Sequence, residues 1–317
     1  MKRIGTLLFL ILCAFGVTIS QTLEEKEREL FKQYKVKERT TINYSYINGK
    51  KSDQGIKTST STYNTEGLVL STKTFDRNGE ITTSEKFGYD VHNNRILYER
   101  KGKRSYMKTS EYNEADNIIL ESGYDGSSAF KTVYNYNNSG RLAEIKYYAE
   151  NLLDEKRVYL HSENKAVVRV LHRGKDLKST IGLVFNSNGD ILEEVTQSLE
   201  GVELDRRKMT YNEAGFIATE EKYRAGNLSY KLTYQYDDNN NLIKLTEESP
   251  SKGKLDKKLY KYDSAGRIIE YKWKRKPDEE YNVKTYKYGS EGVCIEEFTR
   301  YPKTNYQLLS TYEYKFY

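Results

Sequence analysis

The chain has 317 residues, of which 37% are hydrophobic and 31% charged, and its mean hydropathy is −0.84. Its 52 basic and 46 acidic residues are interspersed and give a formal net charge of +6, a pattern that excludes a basic nucleic-acid stripe or a disordered acidic tail. Thirty tyrosines in so polar a chain mean that the interior is built largely from rings that bury an apolar body and keep a polar tip.

Met1 to Ser20 reads as a secretory signal peptide, with Lys2 and Arg3 ahead of an apolar run from Ile4 to Phe15 and cleavage expected before Gln21. That run is too short to span a bilayer permanently, so no transmembrane segment is expected after cleavage. Cys13 follows the bulky Leu12, which disfavours a lipoprotein anchor. Loss of Lys2 and Arg3 would take the charge from +6 to +4 and leave Cys294 as the only thiol, so no internal disulfide is expected. Cys294 occupies an aliphatic position of the last repeat and reads as a small buried hydrophobe, not a nucleophile.

Gln21 to Val36 is predicted helical, with Thr22 and Glu25 at capping-box spacing and Leu23, Glu27, Leu30, Phe31 and Tyr34 along one side. We assign residues 21–37 to a capping helix over the first strand edge, and residues 38–317 to a β-repeat domain. Ile42, Tyr44 and Tyr46 alternate with polar residues, and Asn48-Gly49 supplies a turn.

From Tyr63 onward one phrase recurs: an aromatic, an Asn or Asp, two free positions, a Gly or Asn, one more residue and an aliphatic. It begins at Tyr63, Tyr89, Tyr112, Tyr136, Phe185, Tyr211, Tyr236, Tyr262 and Tyr288, with a degraded copy from Leu160. A period near 25 residues means one supersecondary unit stacked many times. The fifth position (Gly67, Asn93, Asp116, Gly140, Asn164, Gly189, Gly215, Asn240, Gly266, Gly292) is expected in the left-handed region, and the second position suits an Asx turn. A second turn sits midway, as at Lys101-Gly102, Asp125-Gly126, Arg173-Gly174, Glu200-Gly201, Ala225-Gly226 and Lys252-Gly253. Between turns, residues such as Leu228, Tyr230, Leu232, Tyr234 and Tyr236 alternate with polar ones, the mark of half-buried strands. The expected fold is all-β: antiparallel β-hairpin repeats of about 25 residues forming a long curled meander or superhelical β-tube, with a short N-terminal helix. The final strand, with Tyr312, Tyr314 and Phe316, is expected to leave an open edge and to permit edge-to-edge self-association.

The phrases YDSAGRI from Tyr262 and YNNSGRL from Tyr136 resemble the YD (tyrosine-aspartate) repeat of Rhs-type proteins and teneurins, and the resemblance covers about Tyr63 to Tyr317. The unit here is longer than the family's, the arginine before the aliphatic is present only at Arg95, Arg141 and Arg267, and no toxin-like domain follows. The resemblance implies a β-shell that encloses cargo or presents a binding surface, in a short free-standing member from a bacterial envelope.

Carboxylates recur after the turn glycine as Glu144, Glu193, Glu194, Glu220, Glu270, Glu296 and Glu297, with Lys146, Lys222, Lys244, Lys261, Lys272 and Lys287 beside them. Because they keep the period, they read as solvated cross-strand charge ladders and not as a catalytic pair. His92, His161 and His172 read as surface histidines, since no spacing supplies a third metal ligand, and no cofactor is expected. The candidate binding residues are the paired rings Tyr134, Tyr136, Tyr234, Tyr236, Tyr260, Tyr262, Tyr286 and Tyr288 with Trp273, suited to stacking on sugars or gripping a protein. The expected function is an exported, non-enzymatic binding or scaffold module for glycan or envelope protein, without nucleic acid. The alternatives are an accessory shell of a polymorphic-toxin system and a glycan-cleaving enzyme.

Overall fold

A computed structural model describes residues 17–47, 49–250 and 254–317, with side chains from residue 24 onward except 254 and 255. Cys13 and most of the expected signal peptide lie outside the described residues, as do Asn48 and the Lys252-Gly253 turn. One helix precedes the strands: α1, Val17–Gln33. It begins four residues before the expected start, so Thr22 lies within the helix and is not its cap. It ends where Tyr34 N–H reaches Leu30 O at 2.9 Å and Lys35 turns left-handed at φ 52°.

The strands follow in chain order. The first five are β1 (Val36–Ile47), β2 (Lys50–Lys51), β3 (Ile56–Tyr63), β4 (Val69–Phe75) and β5 (Ile81–Tyr89). Next come β6 (Arg95–Lys101), β7 (Tyr106–Tyr112), β8 (Ile118–Asp125), β9 (Ser128–Tyr136), β10 (Leu142–Ala149) and β11 (Leu152–His161). The series continues with β12 (Lys165–His172), β13 (Asp176–Phe185), β14 (Ile191–Gln197), β15 (Glu203–Tyr211), β16 (Ile217–Arg224) and β17 (Asn227–Tyr236). The last six are β18 (Leu242–Ser249), β19 (Lys254–Tyr262), β20 (Ile268–Lys274), β21 (Asn282–Tyr288), β22 (Cys294–Tyr301) and β23 (Tyr306–Phe316).

From β3 to β23 each strand pairs antiparallel with the next, for example Tyr260 with Tyr271 and Tyr286 with Glu297. The ring is closed by β1, which pairs with β3 on one side and with β23 on the other, from Val36 opposite Phe316 to Ser45 opposite Leu308. The short β2 only extends β1 as a hairpin, Tyr46 opposite Lys51. The result is a closed barrel of 22 strands, not a superhelical tube or curled meander. The reason is that a twisted sheet of this strand number can remove both edges by meeting itself. At about 4.8 Å per strand the perimeter is roughly 105 Å before tilt. The open C-terminal edge expected for β23 therefore does not exist, and edge-to-edge association has no edge to use.

The repeat chemistry is local and regular. In the turn after β3, Asn64 Oδ1 accepts from Glu66 N–H at 3.0 Å and Leu68 N–H at 2.9 Å, and Gly67 takes φ 72°. Asp263 does the same with Ala265 and Arg267, beside Gly266 at φ 72°. Asn93, Asp116 and Asn240 also hold positive φ, as expected of the residues that replace glycine there. Asn164 does not: the degraded copy closes instead through Ser162 N–H to Lys165 O at 2.8 Å.

Each phrase turn except that of the degraded copy ends in a one-residue bulge. Tyr262 faces Ile268 while Lys261 faces Glu270, so Ile269 is the extra residue. The tyrosine of the following phrase then donates its hydroxyl to the carbonyl at the bulge. Tyr89 reaches Val69 O, Tyr136 Ile118 O, Tyr211 Ile191 O, Tyr236 Ile217 O and Tyr262 Leu242 O, all at 2.8–2.9 Å. Tyr288 and Tyr314 continue the series at 2.6 Å. In the degraded copy His161 takes the tyrosine's place, its Nε2 lying 2.7 Å from Leu142 O and so carrying the proton. His161 is thus part of the barrel's bonding pattern, a correction to its reading as a surface residue.

Tyr262→Phe is expected to lower the unfolding free energy by about 1 kcal/mol, the net worth of one such hydrogen bond, measured as a shift in the denaturant midpoint at unchanged m-value. A neutral outcome would mean that water replaces the hydroxyl at the bulge.

Candidate functional site

Strand alternation gives the barrel two chemically different walls. On β19 the rings of Tyr260 and Tyr262 point inward, so Lys261 points out, where it meets Glu270 at 3.0 Å. Glu270 is shared with Lys272 at 3.1 Å. Glu144 bridges Lys146 and Lys156 in the same way, and Lys287–Glu296 and Lys231–Glu221 continue the pattern at 2.6 and 2.9 Å. The lysines stay wet: Lys261 and Lys287 side chains are 68% and 70% exposed. This is the expected charge ladder, but only for part of the expected set. Glu194, Glu220 and Glu297 face inward, as does Lys222, because residues four and five places after the turn glycine lie on opposite faces of a strand.

The inner wall holds a cavity of about 1470 Å3 beneath α1. Its sides come from β16 to β23: Tyr230, Tyr234, Tyr260, Tyr271, Tyr286, Tyr288 and Tyr312, with Leu232, Leu245 and Ile268 between them. Charged groups on its strand walls include Lys222, Glu247, Lys258, Glu297 and Arg39, and α1 and the rim add others such as Glu27 and Arg267. Tyr260 and Tyr271 stack at 5.0 Å between centroids. The hydroxyls of Tyr234, Tyr260 and Tyr286 have no hydrogen-bond partner among the described residues, whereas Tyr288 is committed to its bulge carbonyl. Burial raises the pKa of all four, so each remains a neutral phenol.

The roof is α1. Phe31 is 2% exposed and wedges against Tyr63, Val36 and Val293, with Tyr314 beside them. Arg39, on β1, lies under the helix with its guanidinium 5.5, 5.9 and 5.6 Å from the rings of Phe31, Tyr63 and Tyr312. Among the described residues its acidic contact is Glu27, at 2.7 Å. Burial opposes the charged guanidinium, but Glu27 and the surrounding tyrosines outweigh it and raise its pKa. Since the barrel has no free edge, the helix caps a mouth and not the first strand edge, as the sequence suggested.

Of the nine expected site residues, the structure brings Tyr234, Tyr260, Tyr286 and Tyr288 to the cavity. Tyr236 and Tyr262 sit at the bulges, with their hydroxyls spent on carbonyls. Tyr134 and Tyr136 belong to the opposite stretch of wall, packed on the cluster of Leu142, Ile145, Tyr159, Ala166, Val168 and Leu183. There Tyr134 donates to Glu121, which also holds Lys108. Trp273 lies further along, stacked on Tyr271 at 4.8 Å and edge-on to Tyr301. Tyr230 and Tyr271 are cavity residues that sequence reasoning missed, although their in-phase position with Leu232 and Trp273 was legible; Tyr312, paired with Tyr314 along the final strand, also lines the cavity. Cys294 is half-buried at the cavity wall, and burial pushes its thiol up to about 12, so it is no nucleophile at neutral pH.

No protein-family model matches the chain, and no curated protein matches it. Among solved structures it is similar to a porin-like protein from Bacteroides uniformis ATCC 8492, at 12% identity over 66% of this chain and 96% of that one, with a TM-score of 0.34. A porin-like protein from Bacteroides vulgatus ATCC 8482 is similar at 9% identity over 87% and 98%, with a TM-score of 0.20. A Photorhabdus luminescens Tc holotoxin pore is similar at 12% identity over 81% of this chain and 19% of that one, with a TM-score of 0.23. These scores are too low for architecture or function to be carried across.

Proposed function

We propose that the protein is an exported, non-enzymatic binding module whose tyrosine-lined cavity under α1 holds a glycan. The observation that supports this most directly is the contrast between the two walls. A bilayer-spanning barrel keeps its outer band apolar, and a Lys or Arg facing lipid at mid-depth costs about 2–4 kcal/mol. The outward charges at Lys146, Lys231, Lys261 and Lys272 suit water instead. Inside, flat amphipathic rings, among which the hydroxyls of Tyr234, Tyr260 and Tyr286 have no partner among the described residues, are flanked by Lys222, Glu247, Lys258 and Glu297 and suit a polyol that needs both stacking and hydrogen bonds. A volume of about 1470 Å3 exceeds a usual small-molecule pocket of roughly 300–1,000 Å3, but is far short of a folded domain, so an oligosaccharide fits better than a protein cargo. Glu144 and Glu270, two of the recurring carboxylates, point outward into ion pairs away from the cavity.

The test is an envelope-glycan array probed with the protein and with Tyr234→Ala/Tyr260→Ala, each checked for cooperative unfolding. Loss of about two kcal/mol or more of binding in the folded variant is expected, since one base or sugar-sized ring stacked on an aromatic is worth on the order of 1–3 kcal/mol. Equal binding by both proteins would place the ligand elsewhere, and absence of any bound glycan would sink the reading.

A further inference from the structure

We propose that the cavity continues as an aromatic track down the inner wall to the mouth opposite α1, and that the track takes a linear oligosaccharide too long for the cavity alone. This rests on the glycan reading above and adds the shape of the ligand. The track begins inside the cavity, where Tyr260 on β19 stacks on Tyr271 of β20 at 5.0 Å between centroids. β20 runs away from the α1 mouth, so Trp273 lies deeper, its ring 4.8 Å from that of Tyr271. Tyr301, at the end of β22, follows at 5.7 Å, and Tyr306, at the start of β23, at 5.8 Å. The phrase turns, which touch α1 at Gly67 and Gly266, lie at one mouth. The turn between Tyr301 and Tyr306 belongs to the alternate set and lies at the other.

The continuity has a local cause. Tyr260 is directly opposite Tyr271, and Tyr301 directly opposite Tyr306, on paired strands. Tyr271 and Trp273 are two residues apart and so share a face. On β21, which separates Trp273 from Tyr301, the residue opposite Trp273 is Asn282, whose short side chain lets the two rings meet. These rings are not core in the way that Tyr63 and Tyr159 are, each 6% exposed. Tyr260, Tyr271, Trp273 and Tyr301 are half-buried, and Tyr306 is 46% exposed. Because Tyr271 has a ring against each face, the track offers a ligand ring edges and polar tips, phenol hydroxyls and an indole N–H, at steps of 4.8–5.8 Å. Donors repeated in single file suit an unbranched chain whose own hydroxyls recur with each sugar. At the cavity's other end α1 rests closely on the rim, since a Cβ at Gly67 would overlap Arg28 O, so a bound chain extends away from the helix.

Trp273 is the chain's one tryptophan, so its fluorescence reports on the track alone. The full chain would be titrated with linear glucose and N-acetylglucosamine oligomers graded in length from disaccharides upward, by calorimetry and by Trp273 emission. Acrylamide is expected to quench Trp273 in the folded protein, and the longer oligomers, but not disaccharides, are expected to protect it. Affinity is expected to rise with length. Trp273→Leu should bind the longer oligomers about tenfold more weakly, the equivalent of one lost ring contact, with disaccharides unchanged. Tyr306→Ser, at an exposed position that does not hold the fold, should weaken only the longest. Tyr106→Leu, in the separate file of Tyr98, Tyr106 and Phe130 on β6 to β9, should leave the whole series as it was. Equal affinity for short and long oligomers, or a Trp273 that acrylamide cannot reach, would make the file a cross-strand ladder that only stabilises the sheet, overturning the inference and leaving the glycan reading in place. Absence of binding at any length would remove the glycan reading itself, and the track with it.

Discussion

Phe31→Ala is expected to lower the unfolding free energy by about 3–5 kcal/mol, the range for deleting a fully buried phenylalanine ring. The ring is 2% exposed and packs edge-on against Tyr63 at 4.7 Å and Tyr314 at 6.0 Å. Those partners lie on β3 and β23, the two strands that flank β1. Phe31 thus stands over the seam at which the first and last parts of the barrel meet. Its removal leaves a cavity among Val36, Tyr63 and Val293, which strand pairing cannot collapse without losing register. Denaturant titration should show the full loss, Phe31→Leu should recover most of it, and hydrogen exchange should show β1 and β23 losing protection before β12 and β13. A cost below about 1 kcal/mol, the level of an ordinary surface substitution, would separate α1 from the cooperative unit.

That seam is also what the sequence could not show. The turns were legible because their chemistry is local: Asn64 or Asp263 answers to residues two and four places on, and Gly67 or Asn240 to its own φ. Alternation likewise announced the strands. Closure depends on residues 36–45 meeting residues 308–316, and neither segment carries a mark that names the other. An open meander and a closed barrel share every local signal, so only the strand number hinted at closure. The tyrosines divided for a similar reason. Tyr236 and Tyr262 serve bulge carbonyls about 20 residues earlier, while Tyr234 and Tyr260, two residues before them, face the cavity. Composition makes these rings alike, and only the repeat geometry assigns one tier to bonding and the other to the site. The acidic series shows the same limit. Glu193 and Glu194 are adjacent, yet one meets Arg206 on the outer wall and the other meets Arg207 inside.

Glu220→Gln is expected to stabilise the barrel at pH 8 by about 1–3 kcal/mol and to change little at pH 5, an effect set by a shift of roughly two pKa units at 1.36 kcal/mol each. Glu220 sits on β16 facing inward, 1% exposed, with Oε1 lacking a hydrogen-bond partner among the described residues. Burial pushes its pKa up to about 7, against the pull of Arg207, Tyr230 and Lys222. The sign follows from where the proton is held. An unfolded glutamate titrates near 4.5, so below that pH both states are protonated and the folded barrel keeps its full stability. Between that pH and about 7 the unfolded chain releases its proton while the folded chain retains it, and stability falls as pH rises. Above about 7 the folded state must carry a buried carboxylate, and the loss is complete. Glutamine holds the same shape without the charge, so its variant should show a flatter stability profile across this window. Parallel profiles for the two proteins between pH 5 and 8 would mean that Arg207 keeps Glu220 ionised throughout, and that the inner wall of β15 and β16 is an ion pair and not a protonated acid beside a cation.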